Sequence, residues 1–429
     1  MNNFLSSIIY KLGAKSRNPS LFNIYREFKK SETLSLSELE DKRFSKLKGL
    51  LIFAYKYSPY YKELFDSVAF NPEQFSDISE MQKIPATDKS ILISQNEHIH
   101  SNFNFKKVRK AITSGTSGES LSFMRSEEWD SANRAGVMRG YSWYGVRVSD
   151  KNGYFWGFNI DQSASRKVRW LDWAQNRYRL FQYTNKEIRE FCKKIDNASY
   201  LSGYSSMIYK VAREVNRLGL NFKNVKMVKG TSEMILPKYQ DEVRQAFGVK
   251  MISEYGAAET GLIAFECPHG NQHINTDAVF VETDENNEIL VTNLFSHSFP
   301  IIRYRLGDIV TFSEETCTCG MKSPLIKDIV GRKGTNVMGN SQEYPSFTFY
   351  YVFKNLALED DINLNYKAYQ KVKGQVVMQI EGKFDASVES AINKHLNQYF
   401  GSDVAFDIEY LSEFSSERKK QQSFVSYLS

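Results

Sequence analysis

The sequence predicts an α/β protein with a large N-terminal domain, which contains parallel sheets and a β-rich subdomain, and a small mobile α+β domain at the carboxyl end. The 429 residues, 41% of them hydrophobic, are enough to bury more than one core. Amphipathic helices alternate with short apolar runs in the middle of the chain, which is typical of a parallel sheet covered by helices. The pattern starts afresh after Gly339, so we predict domains over residues 1–339 and 340–429.

The first part of the chain, over residues 20–110, is predicted to be mostly helical. The run LSELEDKRFSKLKGLLIFAYKYS places leucines and phenylalanine near a 3.6-residue period. The opening run MNNFLSSIIYKLG is also apolar at helical spacing, but it is too short to cross a bilayer or to act as a signal sequence. We predict a helix docked on the body of the protein, with a membrane-surface or partner contact as the alternative.

The middle of the chain alternates helices and strands. Helices are predicted for KEIREFCKKI and for SSMIYKVAREVNRLG, and buried strands for VKMVKG and VKMISEYG, which each stop at a glycine. Period-two alternation around an Asp-Glu-Asn-Asn turn in HINTDAVFVETDENNEILVTNL predicts a hairpin, and PIIRYRLGDIVTF continues in the same style. These segments form the predicted β-rich subdomain.

The carboxyl-terminal domain is predicted to be a small α+β unit. QKVKGQVVMQIEGK and VAFDIEYLS have strand character, and they flank the helical segment ASVESAINKHLNQYF.

Charge and cysteine content argue against a nucleic-acid-binding protein and against a secreted disulfide-rich protein. The 56 lysines and arginines exceed the 50 aspartates and glutamates only slightly, and they are spread along the chain, so a nucleic-acid partner is not predicted. Four cysteines in a chain of this length argue against a secreted disulfide framework. We predict a cytoplasmic protein without a transmembrane segment.

The stretch AITSGTSGES is rich in hydroxyls and glycine. It lacks the lysine and the glycine spacing of a P-loop, and it is one residue short of a nucleophile elbow. Its backbone amides and hydroxyls can instead wrap an anion, because glycines permit the close approach that wrapping requires. The alternative is a solvated loop. The candidate anion-binding residues are Thr113, Ser114, Gly115, Thr116, Ser117 and Gly118.

Three later segments carry candidate ligand-binding residues. ISEYGAAETG follows an apolar run, so it is expected where a strand ends. It supplies an aromatic ring, a tight turn and the carboxylate of Glu259. The end of a strand is the usual place for a ligand in an α/β sheet. RYRLGDIV supplies Asp308, a carboxylate that could accept both hydroxyls of a ribose. VGRKGTNV supplies Gly331 and Arg332 just before the final domain.

Read in order, these segments resemble those of the adenylate-forming ligase superfamily. Within it, the chain is similar to the phenylacetate–coenzyme A ligase branch, and particularly to the CapK-like proteins associated with capsular polysaccharide biosynthesis. The resemblance covers most of the chain and rests on TSGTSGES, KGTSEM, YGAAETG, CPHGNQHI, FPIIRYRLGDIV and CTCGMKSPLIKDIVGR.

The resemblance implies a site for ATP and Mg²⁺. Tyr255 would stack on adenine, Glu259 would hold the magnesium ion, and Asp308 would bind the ribose. Thr260 would act in catalysis beside Glu259, and Arg332 would position the nucleotide near the domain hinge. The other positions implied in nucleotide binding are the loop from Thr113 to Gly118 together with Ser232, Glu233, Gly256 and Ala257.

The resemblance also implies a reaction. A small carboxylic acid would attack the α-phosphate of ATP and expel pyrophosphate, and the acyl group would then pass to coenzyme A or another thiol while the domain beyond Gly339 rotates. Aromatics near WGFNI and SGYSS suggest an apolar or aryl acid. A carrier-protein thiol or a sugar acceptor is an alternative, and so is a non-catalytic nucleotide- and acid-binding component of a biosynthetic complex. A homodimer is a further expectation.

The cysteines form a second constellation. Cys267, His273, Cys317 and Cys319 together offer the three sulfurs and one imidazole of a structural zinc site. His269 is a competing ligand, and unligated surface thiols are the alternative to a metal. Cys192, alone on an amphipathic helix, is predicted to lie in the core.

The chain departs from the family pattern at two places. The hinge aspartate expected after Gly-Arg is replaced by Lys333, Gly334 and Thr335. The family's carboxyl-terminal lysine lies in a Ser-Gly-Lys context, whereas this chain has SSERKKQQSFVSYLS. We predict Lys420 as the catalytic lysine in preference to Lys419, because SFVS resembles the strand that trails the family's lysine.

Overall fold

The structure is a computed structural model. It describes residues 3–113, 121–155, 162–181, 185–232, 235, 237–332, 336–346, 348–360, 362, 364, 366–412 and 424–428, with the backbone alone for 162–167, 185, 206, 237–238, 330–332, 345, 350, 354 and 357–358. The chain divides into two compact units. The larger is built from the chain up to Thr113, Ser122–Leu306 and Val310–Ile329, and the smaller from Gly307–Ile309 and from Val330 onward.

The first part of the larger unit is helical, as the sequence predicts. Ser35 starts the longest helix of this region with a capping box, in which its side chain accepts from the Glu38 amide while the Glu38 carboxylate accepts from the Ser35 amide. Leu47, Leu50 and Leu51 form its buried stripe. The helices are α1 (Asn3–Arg17), α2 (Leu21–Lys30), α3 (Leu36–Tyr57), α4 (Pro59–Ser67), α5 (Lys89–Ser94) and α6 (Asn96–Ile99), with 3₁₀ turns at Ser31–Thr33 and Ile78–Lys83.

A buried ionic network attaches these helices to the rest of the unit. One carboxylate oxygen of Asp277 accepts from Lys42 at 2.6 Å and from Ser31 at 2.7 Å, and the other accepts from Arg139 at 2.6 Å. Arg139 also donates to Asn275 Oδ1 at 2.7 Å. Because a buried carboxylate is costly unless it is paired, these contacts fix how α2 and α3 pack on the body of the unit.

The centre of the larger unit is a mixed sheet preceded by a hairpin. The hairpin is β1 (Val108–Ile112) and β2 (Ser122–Ser126), and it leads into α7 (Glu127–Trp143). The parallel part of the sheet alternates with helices as predicted: β3 (Asn152–Phe155), α8 (Gln162–Ala174), β4 (Arg177–Arg179), α9 (Asn185–Lys194), β5 (Tyr200–Tyr204), α10 (Ser205–Arg217), β6 (Met227–Thr231), α11 (Pro237–Phe247) and β7 (Met251–Ala257). Helix α10 packs on β5 and β6, α11 packs on β7, and α7 packs on the next strand along the chain, Gly261–Glu266.

The antiparallel strands continue this same sheet. They are β8 (Gly261–Glu266), β9 (Gln272–Ile274), β10 (Val279–Thr283), β11 (Glu288–Asn293), β12 (Tyr304–Ser313) and β13 (Leu325–Arg332). The strand order is β10-β11-β12-β13-β9-β8-β7-β6-β5-β3-β4. The predicted hairpin is confirmed as β10 and β11, whereas the predicted β-rich subdomain shares an eleven-stranded sheet with the parallel strands.

The smaller unit is an α+β structure with a four-stranded sheet. Its elements are β14 (Asn336–Met338), β15 (Glu343–Pro345), α12 (Thr348–Glu359), β16 (Tyr366–Val372), β17 (Gln375–Glu381), α13 (Ala386–Phe400), β18 (Ala405–Leu411) and β19 (Phe424–Ser426), with strand order β18-β17-β16-β19. The segment QKVKGQVVMQIEGK, predicted as strand, contains a turn, because Gly374 takes the left-handed φ of 75° between β16 and β17.

Gly339 lies within this smaller unit. It comes directly after β14, and its amide donates to the carbonyl of Gln342 at 2.8 Å. A Cβ here would overlap the carboxylate of Asp403, which also accepts from the Ser341 amide at 2.7 Å. The requirement for glycine at this position is therefore local packing, and the boundary of a mobile domain at Gly339 stays a prediction.

Within the described part of the chain, no helix combines the length and the apolar character that crossing a membrane requires.

Candidate functional site

The carboxyl ends of the parallel strands meet at one edge of the large sheet. Register pairing puts Tyr204 of β5 beside Thr231 of β6, and Thr231 beside Glu254 of β7. Gly203 takes a φ of 153°, and a Cβ there would overlap the backbone of Phe155, so β3 and β5 approach closely at this edge. Ligands of open α/β sheets bind at this kind of edge. The predicted acid-pocket segment WGFNI lies outside the described residues.

The predicted Tyr-Gly-x-x-Glu segment spans the end of β7, with Tyr255 to Ala257 in the strand, and the turn that follows it up to Thr260. Gly256 is required because a Cβ would overlap the carbonyl of Gly261, and the strand register shifts between Tyr255 and Gly256. Gly261 takes a left-handed φ of 73°. Asn133 of helix α7 also contacts this hairpin, because its Oδ1 accepts from the Leu262 amide at 2.8 Å. The turn therefore has a defined shape, set by close backbone approach and by a side chain of α7.

Glu259 and Thr260 are buried in this turn. Glu259 is 7% exposed, and Thr260 is fully buried, with its carbonyl accepting from Asn293 Nδ2 at 2.7 Å. Ala257 closes β7 ahead of them and is half-buried. A carboxylate that is held at a sheet edge and shielded from water can act on a ligand through charge more strongly than an exposed one.

Arg125 of β2 is a cation within electrostatic range of Glu259. Burial lowers the pKa of Arg125, and the nearby carboxylates of Asp130 and Glu259 oppose that shift. The same hairpin carries Thr113, which is buried at the end of β1. Ser114, Gly115, Thr116, Ser117 and Gly118 lie outside the described residues. The sequence did not single out Arg125, because nothing in its local context distinguishes it from a surface arginine.

An ion pair joins β7 to the neighbouring strand β6 just before the turn. Lys229 Nζ of β6 lies 2.5 Å from Glu254 Oε2 of β7, and Thr231 Oγ1 donates to Glu254 Oε1 at 3.2 Å. The Lys229 ammonium also lies 5.4 Å from the centre of the Tyr141 ring. Glu254 directly precedes Tyr255, so this pair fixes the last part of β7 before the turn. Neither residue of the pair was predicted from the sequence, although both lie inside the segments that carry the resemblance or beside them.

The other predicted nucleotide-binding residues lie on three separate elements. Ser232 is exposed just after β6, with a left-handed φ of 63°. Asp308 lies in β12 and is buried, next to Gly307, whose φ is 92°. Arg332 ends β13. Outside the described residues lie Glu233, Lys333, Gly334, Thr335, Lys419 and Lys420.

The four predicted metal ligands converge in the larger unit. The ligand atoms of Cys267, His273, Cys317 and Cys319 all lie within 4.8 Å of one another. Cys267 Sγ is 3.6 Å from Cys317 Sγ, and Cys319 Sγ is 3.3 Å from His273 Nε2. A tetrahedral zinc with Zn–S bonds of about 2.3 Å separates its sulfurs by about 3.7 Å. The donor set and the spacing therefore fit zinc.

Neighbouring groups orient this cluster. His273 Nδ1 lies 2.9 Å from Ser323 Oγ, which turns Nε2 toward Cys319, and Asn271 Nδ2 donates to Cys317 Sγ at 3.2 Å. Burial lowers the pKa of His273 to about 4, so its imidazole is neutral, as a ligand must be. The competing candidate His269 is exposed, with Nδ1 2.9 Å from Thr318 Oγ1. Cys192 is buried in the core, as predicted.

Comparison with known proteins finds relatives of low sequence identity that match most of the chain. No protein-family model matches it. Protein CapK of Staphylococcus aureus is 21% identical over 352 residues, which is 77% of this chain and 75% of that protein. The phenylacetate-coenzyme A ligase of Thermus thermophilus is 22% identical over 329 residues, which is 70% of this chain and 72% of that protein. These relatives support the predicted resemblance to the adenylate-forming ligase superfamily.

The fold of this superfamily is confirmed by a solved structure. The 2-hydroxyisobutyryl-CoA ligase, in its postadenylation state with R3-HIB-AMP, superposes with a TM-score of 0.63 over 92% of this chain and 91% of the ligase. The sequences are 15% identical, so this likeness concerns the fold. The predicted α/β class and the predicted superfamily are therefore both confirmed.

Proposed function

We propose that this chain is an adenylate-forming acid–thiol ligase. A carboxylate oxygen of the acid attacks the α-phosphorus of ATP, the bond to the bridging oxygen breaks, and pyrophosphate leaves. A thiol, coenzyme A in the first place, then attacks the acyl carbon, and AMP leaves while the thiol loses its proton. The observation that carries the proposal is the end of β7 and the turn after it, which place Tyr255 and the buried Glu259 at the carboxyl edge of parallel strands. The named relatives support it.

In this proposal each residue has a task suited to its chemistry. The ring of Tyr255 stacks on adenine, and the carboxylate of Asp308 accepts from the ribose hydroxyls. Glu259 holds Mg²⁺, for which carboxylate oxygens are fitting ligands, and the ion supplies positive charge against the phosphates of ATP. Arg332 positions the nucleotide, and the loop from Thr113 to Gly118 binds the departing phosphates.

Two narrower proposals concern the acceptor and the pathway. The resemblance to the ligase branch favours coenzyme A over a carrier-protein thiol or a sugar acceptor. A role in capsular polysaccharide biosynthesis rests on the CapK-like motifs alone. The test is to find which acceptor accelerates release of AMP from the enzyme-bound adenylate. Acceleration by coenzyme A would support the first proposal, and acceleration by a sugar acceptor would support the second.

The decisive test is acid-dependent exchange between ATP and labelled pyrophosphate. The full chain is incubated with Mg²⁺ and with single members of a panel of aliphatic, aryl and amino acids. We expect exchange that depends on one class of acid, followed by AMP release when coenzyme A is added. Saturable ATP binding without exchange for any acid of the panel would contradict the ligase proposal and favour the non-catalytic binding component, which the altered context of Lys420 also allows.

We also propose that Cys267, His273, Cys317 and Cys319 hold one structural zinc ion. Four protein ligands leave no open position for a substrate, so the ion contributes to folding and not to the reaction. It would join the loop after β8 to the loop between β12 and β13, because Cys267 comes directly after β8 and Cys317 and Cys319 lie in the second loop.

Replacing Cys317 with serine is expected to remove the metal and to lower the melting temperature by several degrees, because binding to a closed site contributes directly to stability. Elemental analysis of chelator-free protein should fall from about one zinc per chain to near zero. The matched control is His269→Ala, which removes the exposed competing imidazole and should leave metal content and melting temperature unchanged. Freshly purified wild-type protein without metal would refute the zinc proposal.

A further inference from the structure

Helix α1 docks on the larger unit through a side that includes Ser6, Ser7, Tyr10 and Ala14. Ser6 and Ser7 are its buried residues, and Ser6 Oγ donates to the carbonyl of Ser149 at 2.6 Å. A surface helix of a globular protein ordinarily buries its apolar stripe and exposes its polar one. The predicted docking of this helix is thus observed, but it leaves large apolar side chains of the helix exposed.

Four large apolar residues of α1 point to solvent. Phe4 is 73% exposed and Leu12 is 66% exposed, while Leu5 and Ile8 are also exposed. At 100° per residue these four positions share one side of the helix, opposite Ser6. Lys11 and Lys15 fall on the edge of the same arc and are exposed. The helix therefore presents a stripe of apolar side chains bordered by ammonium groups.

Helix α8 extends this apolar surface. Trp170 and Trp173 are 63% and 54% exposed, and Leu171 is exposed beside them. Helices α1 and α8 pack on each other, and Asn176, just after α8, donates its Nδ2 hydrogen to Asn3 Oδ1 at 3.0 Å. Seven of the fifteen large hydrophobic side chains that are exposed in the described part of the chain belong to these two helices. We call this surface the α1–α8 face.

Several cations border the α1–α8 face. Helix α1 contains three cations and no acidic residue. At its end, Lys107 Nζ donates to the carbonyls of Ser16 and Arg17 at 2.9 Å and 2.7 Å, and this contact brings the basic β1 strand alongside Arg17. Arg169 is exposed next to Trp170 on α8. Apolar side chains, tryptophans and cations at one surface are the combination that an anionic lipid interface binds.

We propose that the α1–α8 face binds the surface of an anionic membrane, with its apolar side chains in the headgroup region and its lysines and arginines against lipid phosphates or carboxylates. The tryptophans suit this depth, because their rings are amphipathic. The contact is peripheral, since none of the described helices is long and apolar enough to span a bilayer.

A second copy of this chain is the competing occupant. In a two-fold dimer through the α1–α8 face, the same patch would meet itself, so the cations of one copy would lie close to those of the other. Like charges across an interface oppose association, whereas an anionic lipid surface attracts the same charges. The charge of this face therefore favours the membrane.

The test is co-sedimentation of the full chain with vesicles. One set is phosphatidylcholine alone, and the other contains about 30% phosphatidylserine, to give a negative surface. We expect binding to the anionic vesicles, at least about tenfold weaker binding to the neutral ones, and a loss of binding as salt rises from about 0.05 M to about 0.5 M. Equal binding to both vesicle types, or binding to neither, would overturn the proposal.

Two variants test the two components of the face separately. The apolar variant Ile8→Ser/Leu12→Ser is expected to weaken binding at least about tenfold. The charge variant Lys11→Gln/Lys15→Gln is expected to weaken it about 30-fold, since each cation near an anionic surface contributes about fivefold. The matched control is Leu220→Ser, an exposed leucine shortly after α10, which should leave binding unchanged.

Sedimentation velocity of the same proteins distinguishes a membrane-binding face from a face that binds a second copy of the chain. A wild-type dimer that dissociates in the Ile8→Ser/Leu12→Ser variant would assign the face to a second copy and overturn the membrane proposal. A species whose mass is the same for wild type and variant, together with salt-sensitive binding to anionic vesicles, would support it. The substituted side chains are exposed, so an unchanged melting temperature should accompany every variant.

Discussion

The Glu259→Gln variant is expected to lose about 10²-fold or more of the acid-dependent ATP–pyrophosphate exchange, while it keeps its fold. Glutamine matches glutamate in size, so the change removes the charge and replaces one acceptor oxygen with an NH2 donor while it keeps the volume of the side chain. That charge lies in a buried turn, where electrostatic effects on a phosphate-bound cation are strong, and removing one key electrostatic group commonly costs this much. The measurement is the exchange rate at saturating acid and Mg²⁺.

Two companion variants sharpen this result. Glu285→Gln removes a carboxylate from the exposed turn between β10 and β11 and should leave exchange unchanged. Asp308→Ala should chiefly raise the ATP concentration needed for half-maximal exchange, because its proposed task is to bind the ribose. Since Arg125 lies within range of Glu259, the melting temperature of Glu259→Gln must be measured alongside its rate. Exchange at the wild-type rate in both Glu259→Gln and Asp308→Ala would contradict the site assignment.

Local patterns predicted most of the secondary structure because those patterns are themselves local. The period of hydrophobic residues over α3, the strand-and-helix alternation from β5 to β7, and the Asp-Glu-Asn-Asn turn of the β10–β11 hairpin all depend on residues within one element. The pairing of β13 with β9 depends on residues far apart in the chain, and no period records it. That is why the β-rich part was predicted as a subdomain and is found in the same sheet.

The candidate site also contains residues that local sequence signals predicted and residues that only the fold brings together. The turn from Tyr255 to Thr260 was identifiable because glycine and a carboxylate after a strand are a visible local signal. Arg125 reaches Glu259 from a different hairpin, and Lys229 meets Glu254 across two strands, so only the folded chain brings these charges together. The metal cluster is the exception, since cysteine and histidine are rare enough here that their residue types alone indicated a shared site.

The orientation of α1 shows a further limit of pattern analysis. Phe4, Ile8 and Leu12 recur at helical spacing, and an apolar stripe is normally assumed to face the core. The structure buries Ser6 instead, since its hydroxyl donates to the carbonyl of Ser149. Periodicity therefore predicts that a helix has two faces, but the surface it meets decides which face is buried.

Lys420→Ala is expected to abolish acyl-adenylate formation, and Lys419→Ala should change it little. Two anions, the acid and the α-phosphate, must meet in the adenylation step, which requires a cation at the developing charge. Both lysines lie outside the described residues, but strand β19 begins shortly after them at Phe424 and pairs with β16 of the smaller unit. The segment SFVS, which contains this strand, resembles the strand that trails the family's lysine, and Lys420 is the nearer of the two lysines to it.

The half-reactions separate a catalytic lysine from a structural one. A lysine that acts only during adenylation leaves the second step intact, so Lys420→Ala should still consume a synthetic acyl-adenylate when coenzyme A is supplied. Lys419→Ala is the matched control, because it removes an equal charge one residue away, and both half-reactions should proceed near the wild-type rate. Equal loss of exchange in the two variants, or full exchange after deletion of the chain beyond Leu411, would reject Lys420 as the adenylation lysine. In the second case the cation would come from the remaining chain, and Arg125, already within range of Glu259, is the residue to substitute next.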